Sequence, residues 1–591
     1  MKKQIIALVI FFSIIQLTKA QRLPGSTYPF SSAPDTMYII TDNITNTQRL
    51  TIVSLQGLLA RHKPKIIRNT GIWVDYLRTN GYIALDSAYF NDFTGLINHF
   101  KDSISGYILC DAASTSANVA ISMASVLNGI VLTTADTTTL APLGLNLLLD
   151  ARGKDENWVL ANYGSQLSTN IVTVQNIDRL SSLSDYSIFA GALQFWVTDA
   201  SNSLMNTAFN RMKMDATVMG FGPDEYNTVY KLSQYSLAMN ASDWCQNLSV
   251  LTNIPVNSFA QKTPLQPYQS INNKHTVCFV FTDGDNIQWL DGDAASSTRW
   301  ISNANTSQIN LGWTMSPALS ELAPPVLKYF YDKAPNTLTG RSYFVAGPSG
   351  RGYNFPGVFP QLDSETVVLN NYMIKSDLHI VNILDVDNST VSISKFLDKS
   401  NIDALFYYKY SNYSGLNGQI SWYNNKPSIG GRYNLWDGIH STTQVAQLVN
   451  NLPTNINSSA GYSLIPVHAW SMTVDSVIAC INKLDTSKVR VVCPDEFVWL
   501  IKQNIGSVGI NNPIQFNNGL VYPNPASAQI TIVNNNNKAI KSIVITNMIG
   551  TIVYKSEDTF AGNKTINISN LKKGIYLISI DDQNPKKFIV D

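Results

Sequence analysis

VCFVFTDGDNIQW, residues 277–289, decides how this chain is read: an unbroken apolar run closes abruptly on two aspartates two positions apart. A half-exposed strand would alternate apolar and polar residues, so a continuous run marks a strand covered on both faces. Seven further runs of this kind follow: INLGWT from 309, SYFVAG from 342, HIVNIL from 379, ALFYYK from 404, PSIGGRY from 427, YSLIPVHAW from 462 and VRVVCP from 489. They start 23 to 37 residues apart, with helix-like connections between them. Eight such units predict a closed (β/α)8 barrel over residues 266–505, with chemistry at the carboxyl ends of its strands.

A second motif, Gly350-Arg351-Gly352-Tyr353-Asn354-Phe355-Pro356, follows the third run. Together with DGDN at 283–286, LGWTMSP at 311–317 and PDEFVWLI at 494–501, it resembles the GxGYxYP family of putative glycoside hydrolases. Phe355 stands in place of the second tyrosine, which keeps an aromatic face and drops a hydroxyl. The resemblance reaches upstream to about Met37. It implies a carbohydrate-active enzyme of Bacteroidetes-like bacteria, acting on a polysaccharide or oligosaccharide.

Glycosidic cleavage requires two carboxyl groups, one donating a proton and the other serving as nucleophile or activating water. Strand ends supply few. Asp283 and Asp285 end strand one, Asp385 and Asp387 end strand four, Asp437 follows strand six, and Asp495 with Glu496 follows strand eight. Strands one and eight are neighbours in a closed barrel, so Asp283, Asp285, Asp495 and Glu496 are the expected catalytic set, with Gly284 letting the chain turn and aim both aspartates. Seven of the eleven tryptophans lie between Trp289 and Trp499, and aromatic faces stack on sugar rings. Asn286, Trp313, Arg351, Tyr353, His468 and Trp470 are the expected substrate contacts; Trp300 and Trp499 read as core. No cofactor and no metal are expected. Two alternatives stand beside a hydrolase. Thr282-Asp283-Gly284-Asp285 resembles the first motif of metal-dependent polysaccharide deacetylases, although no His-x-x-x-His follows between 285 and 396, and a non-catalytic glycan-binding protein would present the same aromatics. The aspartates at 283, 285, 291 and 293 lack the ligand order of an EF-hand.

Residues 1–20 pair Lys2-Lys3 with an apolar run from Ile5 to Ile15 and small residues before Gln21, the order of a cleavable secretory signal peptide. No later stretch is long and apolar enough to span a bilayer. Beyond a linker at 506–518, residues 519–591 contain no Cys, Trp or His and alternate apolar with polar residues, as at 529–533, 541–545, 565–568 and 575–580. That pattern predicts a small antiparallel β-sandwich. Val521-Tyr522-Pro523-Asn524-Pro525-Ala526, Asn547-Met548-Ile549-Gly550 and Gly574-Ile575-Tyr576 resemble the type A sorting domain of the type IX secretion system. The implied partner is that machinery, and the implied location is secreted or on the cell surface.

The region before the barrel divides into α/β domains at 21–150 and 151–265. Met37-Tyr38-Ile39-Ile40, Gly106-Tyr107-Ile108-Leu109-Cys110 and Ile130-Val131-Leu132, with helices between, read as one layer. Asp224 and Glu225 follow a strand at 217–220 and read as helix-capping residues that could also project toward the barrel. A net charge of +1 with 14% charged residues gives no footprint for nucleic acid. Of five cysteines, Cys278 and Cys493 fall on strands one and eight; their apolar settings read as buried thiols, and their spacing leaves a disulfide open.

Overall fold

The computed structural model describes residues 22–23, 25–389, 391–506, 520–522, 525–533, 539–547, 551–581 and 586–591. The signal-peptide segment, most of the 506–518 linker, and positions 523, 524 and 548–550 of the sorting motifs lie outside the described residues. The chain forms two compact units, divided after Gly506.

In the first unit, three small parallel sheets precede the large one. Thr36–Ile40 sits between Ile66–Arg68 and Ala84–Asp86, and Gly106–Cys110 sits between Gly129–Thr133 and Leu147–Asp150. The strands read as one layer over 21–150 therefore lie in two separate sheets. The third sheet runs in the order Ala238–Ala241, Thr217–Gly220, Ile171–Val174, Leu193–Phe195. Its outer strand, Ala238–Ala241, faces the large sheet.

All eight runs of the sequence become parallel strands of one curled sheet: His275–Phe281, Leu311–Met315, Ser342–Ala346, Ile380–Asp385, Ala404–Lys409, Lys426–Gly430, Tyr462–Val467 and Val489–Val491. The antiparallel hairpin strand Ile420–Tyr423 joins the sixth. Strand one shows why the runs are unbroken. Val277, Phe279 and Phe281 belong to one buried cluster, shared with Val326, Leu327 and Phe330 of the helix Pro324–Lys333, while Cys278 and Val280 belong to another, shared with Phe406, Leu464 and Phe497. Each fully buried phenylalanine or valine contributes about 1.5–3 kcal/mol, and both faces collect that contribution.

The strand order departs from a regular (β/α)8 barrel. Strand seven pairs directly with strand one along Thr276 to Phe281, and the segment after strand six is stitched to strand seven by isolated bridges, Gly431 to Leu464 and Leu435 to Val467. Strand eight is only three residues long and pairs with the first three residues of strand one, His275 to Val277. It therefore ends at the amino-terminal side of the sheet, and the chain turns there into the helix Pro494–Asn504. That helix touches strands one, three and six, and Phe497 packs on Phe406 (6.3 Å) and Tyr462 (5.9 Å), filling the concave side of the curl. Gly312 makes room for it: a Cβ there would meet Pro494 Cγ at 2.6 Å.

The five cysteines are free and buried; Cys493 donates to the Arg341 carbonyl at 3.0 Å rather than bonding to Cys278.

In the second unit, Leu520–Tyr522, Gln529–Val533 and Lys564–Asn567 form one antiparallel sheet. Ile552–Ser556, Ile543–Asn547, Gly574–Ile580 and Lys586–Val590 form another. Ile530, Ile532 and Ile566 of the first join Ile543, Ile545, Ile578 and Ile580 of the second in a single core, as the alternation in sequence predicts.

Candidate active site

The carboxyl end of strand one opens into a cleft of about 200 Å³. Asp283 leaves the strand in a left-handed conformation, φ 70°, a geometry aspartate tolerates at a cost of about 1 kcal/mol. The Thr282 hydroxyl donates to its carboxylate. Gly284 does not supply that turn; it allows close packing. A Cβ on Gly284 would come within 2.1 Å of the Thr314 backbone, and the loop is pinned there by Gly284 N to Thr314 Oγ1 (2.8 Å) and Ser316 N to Gly284 O (2.8 Å).

Asp285 follows, buried, with no cation beside it in the cleft. Burial first, then the negative charges of Asp283 and Glu225, push its pKa well above the usual carboxylate range. That shift favours the protonated form. Asp283 is the more exposed of the two.

The third carboxylate comes from another domain. Asp224 caps the helix Glu225–Gln234 by accepting from Asn227 N at 2.7 Å, which leaves Glu225 in the first turn facing the cleft. Glu225 is exposed at the cleft mouth, and its carboxylate accepts a 2.9 Å bond from the Tyr353 hydroxyl. The capping role read from the sequence thus belongs to Asp224 alone.

The glycine motif explains how Glu225 is held. Tyr353 exchanges two backbone bonds with Met239 of the third small sheet, 2.7 and 2.9 Å. A Cβ on Gly352 would meet the Met239 carbonyl oxygen at 2.7 Å, and one on Gly350 would meet Glu365 Oε1 at 2.5 Å. Arg351 turns away from the cleft. It pairs with Glu365 at 3.2 Å, both fully buried, and donates to Thr217 Oγ1 and the Ala216 carbonyl at 3.0 Å each. Its expected place among the substrate contacts is thus filled by a structural role, joining the third domain to the large sheet. Phe355 is buried against Tyr353, Tyr226 and Tyr410.

Of the other expected residues, Asn286 and Trp470 line the cleft, and Trp470 is 46% exposed. His468 stacks on Trp436 at 3.7 Å and bonds Ser471 Oγ at 2.8 Å; burial lowers its pKa against the opposing pull of Asp283, so the ring is neutral at neutral pH. Trp313 is not at the mouth: it is buried on the outer face, stacked on Phe281 at 4.7 Å, with its indole nitrogen donating to Ser342 Oγ. Asp495 and Glu496 do not meet Asp283 and Asp285. Asp495 pairs with Arg341 and accepts from Tyr268 at the amino-terminal side of strand three, and Glu496 is half-buried near Arg490. The short strand eight is the reason, because it leaves them at the opposite end of the sheet. Asp385 is also structural, accepting from Tyr407 Oη at 2.6 Å and Gly357 N at 2.8 Å.

Sequence reasoning missed Asn382 and Tyr413, which complete the cleft wall. Asn382 had a signal, being the polar residue inside the apolar run HIVNIL; Tyr413, on a loop after strand five, had none. Among the described residues, no group of three or more His, Cys, Asp or Glu side chains is placed to hold a metal ion, and no helix is long and apolar enough to cross a membrane.

Family models match nearly the whole of the first unit: the GxGYxYP_N first domain at 35–102, its second domain at 104–167, the GxGYxYP third domain at 169–253, and the "GxGYxYP putative glycoside hydrolase C-terminal domain" at 273–502. Residues 520–591 match a secretion system C-terminal sorting domain, which marks the chain for export by the type IX machinery to a secreted or cell-surface location. A solved structure described as a putative hydrolase from Bacteroides thetaiotaomicron is 30% identical, with a TM-score of 0.75, covering 82% of this chain and 98% of that one. No curated protein matches the chain.

Proposed function

Because this chain belongs to the GxGYxYP family, we propose that it is a glycoside hydrolase in which Asp285 is the proton donor and Asp283 the partner carboxylate. One observation carries the reading: three carboxyl groups from two domains share one cleft, and the most buried of them, Asp285, is shifted toward its protonated form by burial first and then by the other two. A glycosidic oxygen leaves as an alcohol only if a proton reaches it as the bond breaks, and a carboxyl group kept protonated at neutral pH supplies that proton. Solvent reaches Asp283, so it is the carboxylate able to carry charge opposite the forming oxocarbenium ion. Glu225, fixed by Tyr353, adds its charge to the burial and to Asp283 in favouring the protonated form of Asp285, and offers an oxygen to a sugar hydroxyl. Asn286 and Trp470 supply a polar contact and an apolar face to the ring.

Asp285→Asn keeps the size of the neutral acid and removes its proton. Reducing ends released from a glycan panel should fall at least about 100-fold, the scale of lost acid catalysis. Full activity of Asp285→Asn on a substrate the parent cleaves would remove the assignment and leave a glycan-binding protein.

A further inference from the structure

A second cleft, of about 440 Å³, adjoins the first, and Gln288 and Trp470 line both. Its walls come from three parts of the chain: Trp73 in the first small domain, Trp244 and Gln246 in the third, and Trp289 and Asp291 from the large sheet. Trp244 and Trp470 are 56% and 46% exposed, unusual for the largest apolar side chain, and they flank this one opening. Trp244 is held in place: the Arg179 guanidinium lies 4.3 Å from its ring, and its backbone nitrogen donates to Gln288 Oε1 at 3.0 Å. Two buried polar atoms in the wall, Trp289 Nε1 and Asp291 Oδ1, have no hydrogen-bond partner, and Trp289 is only 5% exposed. Exposed aromatic faces with polar side chains such as Gln246 and Gln288 beside them suit a sugar ring, since its hydroxyls both donate and accept and its C–H faces stack. The ionisable groups of the groove are all acids: Glu225, Asp283, Asp285, Asp291 and Asp293 line the two clefts, and among the described residues no lysine or arginine does.

We infer that the two clefts are one groove that binds an uncharged oligosaccharide across Trp470, with a distal ring stacked on Trp244, and that uronate or sulfated glycans are excluded. This rests on the hydrolase reading for what happens at Asp285, but the binding itself is separable from cleavage. An anionic sugar entering here would lose its hydration and meet five carboxyl groups, with the Arg179 guanidinium beside Trp244 already paired with Asp243, whereas a neutral ring meets only groups it can bond.

The test is affinity gel electrophoresis of the full chain carrying Asp285→Asn, so that a polymer in the gel is not cut. The gels hold mannan, xylan, starch or mixed-linkage β-glucan as neutral polymers, and polygalacturonate, alginate or chondroitin sulfate as acidic ones. At least one neutral polymer should retard the protein and no acidic one should. Adding Trp244→Ala should weaken retardation at least about fivefold, and Trp244→Phe in its place should restore most of it, since stacking is worth about 1 kcal/mol. Trp244 is exposed, so neither change threatens the fold. Retardation by an acidic polymer, none by any neutral one, or retardation indifferent to Trp244→Ala each overturns the inference. If a neutral polymer retards the protein through Trp244 but the unmutated enzyme releases no reducing ends from it, the groove stands and the hydrolase reading falls.

Discussion

Replacing Asp291 with asparagine should flatten the pH dependence of stability, and the size of the effect follows from its surroundings. Oδ1 is buried and unpartnered, and Oδ2 accepts only a 3.4 Å bond from Gln246 N. Burial, with a contribution from Asp185, pushes the pKa up to about 7. An unfolded chain would ionise this group near pH 3.9. The folded value is raised, so the native state keeps a proton that the unfolded chain releases. The stabilisation is therefore complete below about pH 4 and is lost as pH rises toward 7, at about 1.4 kcal/mol per unit. Between pH 5 and 8 the parent should lose about 3 kcal/mol from this one residue. Asparagine matches the neutral carboxyl in size and does not ionise. Urea unfolding followed by tryptophan fluorescence reports the first unit alone, because every tryptophan lies at or before Trp499. Measured at pH 5, 6, 7 and 8, the difference between variant and parent should widen in the variant's favour by that amount. Curves that stay parallel across this range would refute the reasoning.

Three further outcomes are expected. Arg351→Met leaves Glu365 buried without its partner, which should cost about 3–5 kcal/mol of stability in urea unfolding; a loss under 1 kcal/mol would mean that the pair does not join the domains. Asp495→Asn should destabilise through the unpaired Arg341, by about 3 kcal/mol, and leave turnover per folded molecule unchanged; a 100-fold fall in kcat would return Asp495 to the catalytic set. Deleting residues 521–591 should hold the protein in the periplasm without altering the urea midpoint of the first unit, since the second has its own core; secretion of the truncated chain, followed by mass spectrometry of the culture medium, would count against the sorting role.

The strands were legible because burial on both faces writes itself as an unbroken apolar run, and all eight runs became strands of one sheet. Their order was not. Nothing local to VRVVCP tells whether strand eight lies between seven and one or on the other edge of strand one, because edge choice depends on what else fills the concave side. Here the helix Pro494–Asn504 fills it, and Asp495 and Glu496 move with it to the wrong end of the sheet. Asp283 and Asp285 were readable because two acids closing an apolar strand have no packing reason to be there. Glu225 was visible only as half of a capping pair. A single aspartate satisfies the helix start, so the second acid was free for other work, a surplus that the sequence displays once the cap is assigned. Trp313 misled for a simpler reason: a strand residue points to one face or the other by parity, and its parity with Phe281 places it outward.

The motif that names the family acts at a joint. Asp283 and Asp285 ride on the large sheet and Glu225 on the third small domain, so the geometry of the three carboxyl groups is set by how those bodies meet. An error of about 1 Å in such a constellation costs on the order of 100-fold in rate. Gly350 and Gly352 let the two backbones touch, Arg351 reaches across to Thr217 and Ala216, and Tyr353 bonds Met239 through its backbone and Glu225 through its hydroxyl. A second stitch, between Ala241 and Asn286, ties the same outer strand to the loop that carries the aspartates. Phe355 can lack the hydroxyl of the family's second tyrosine because it lies in a cluster of rings and takes no part in lining the cleft. The third domain is therefore part of the candidate site: it contributes one of the three carboxylates, and the glycine motif holds that carboxylate in register with the other two.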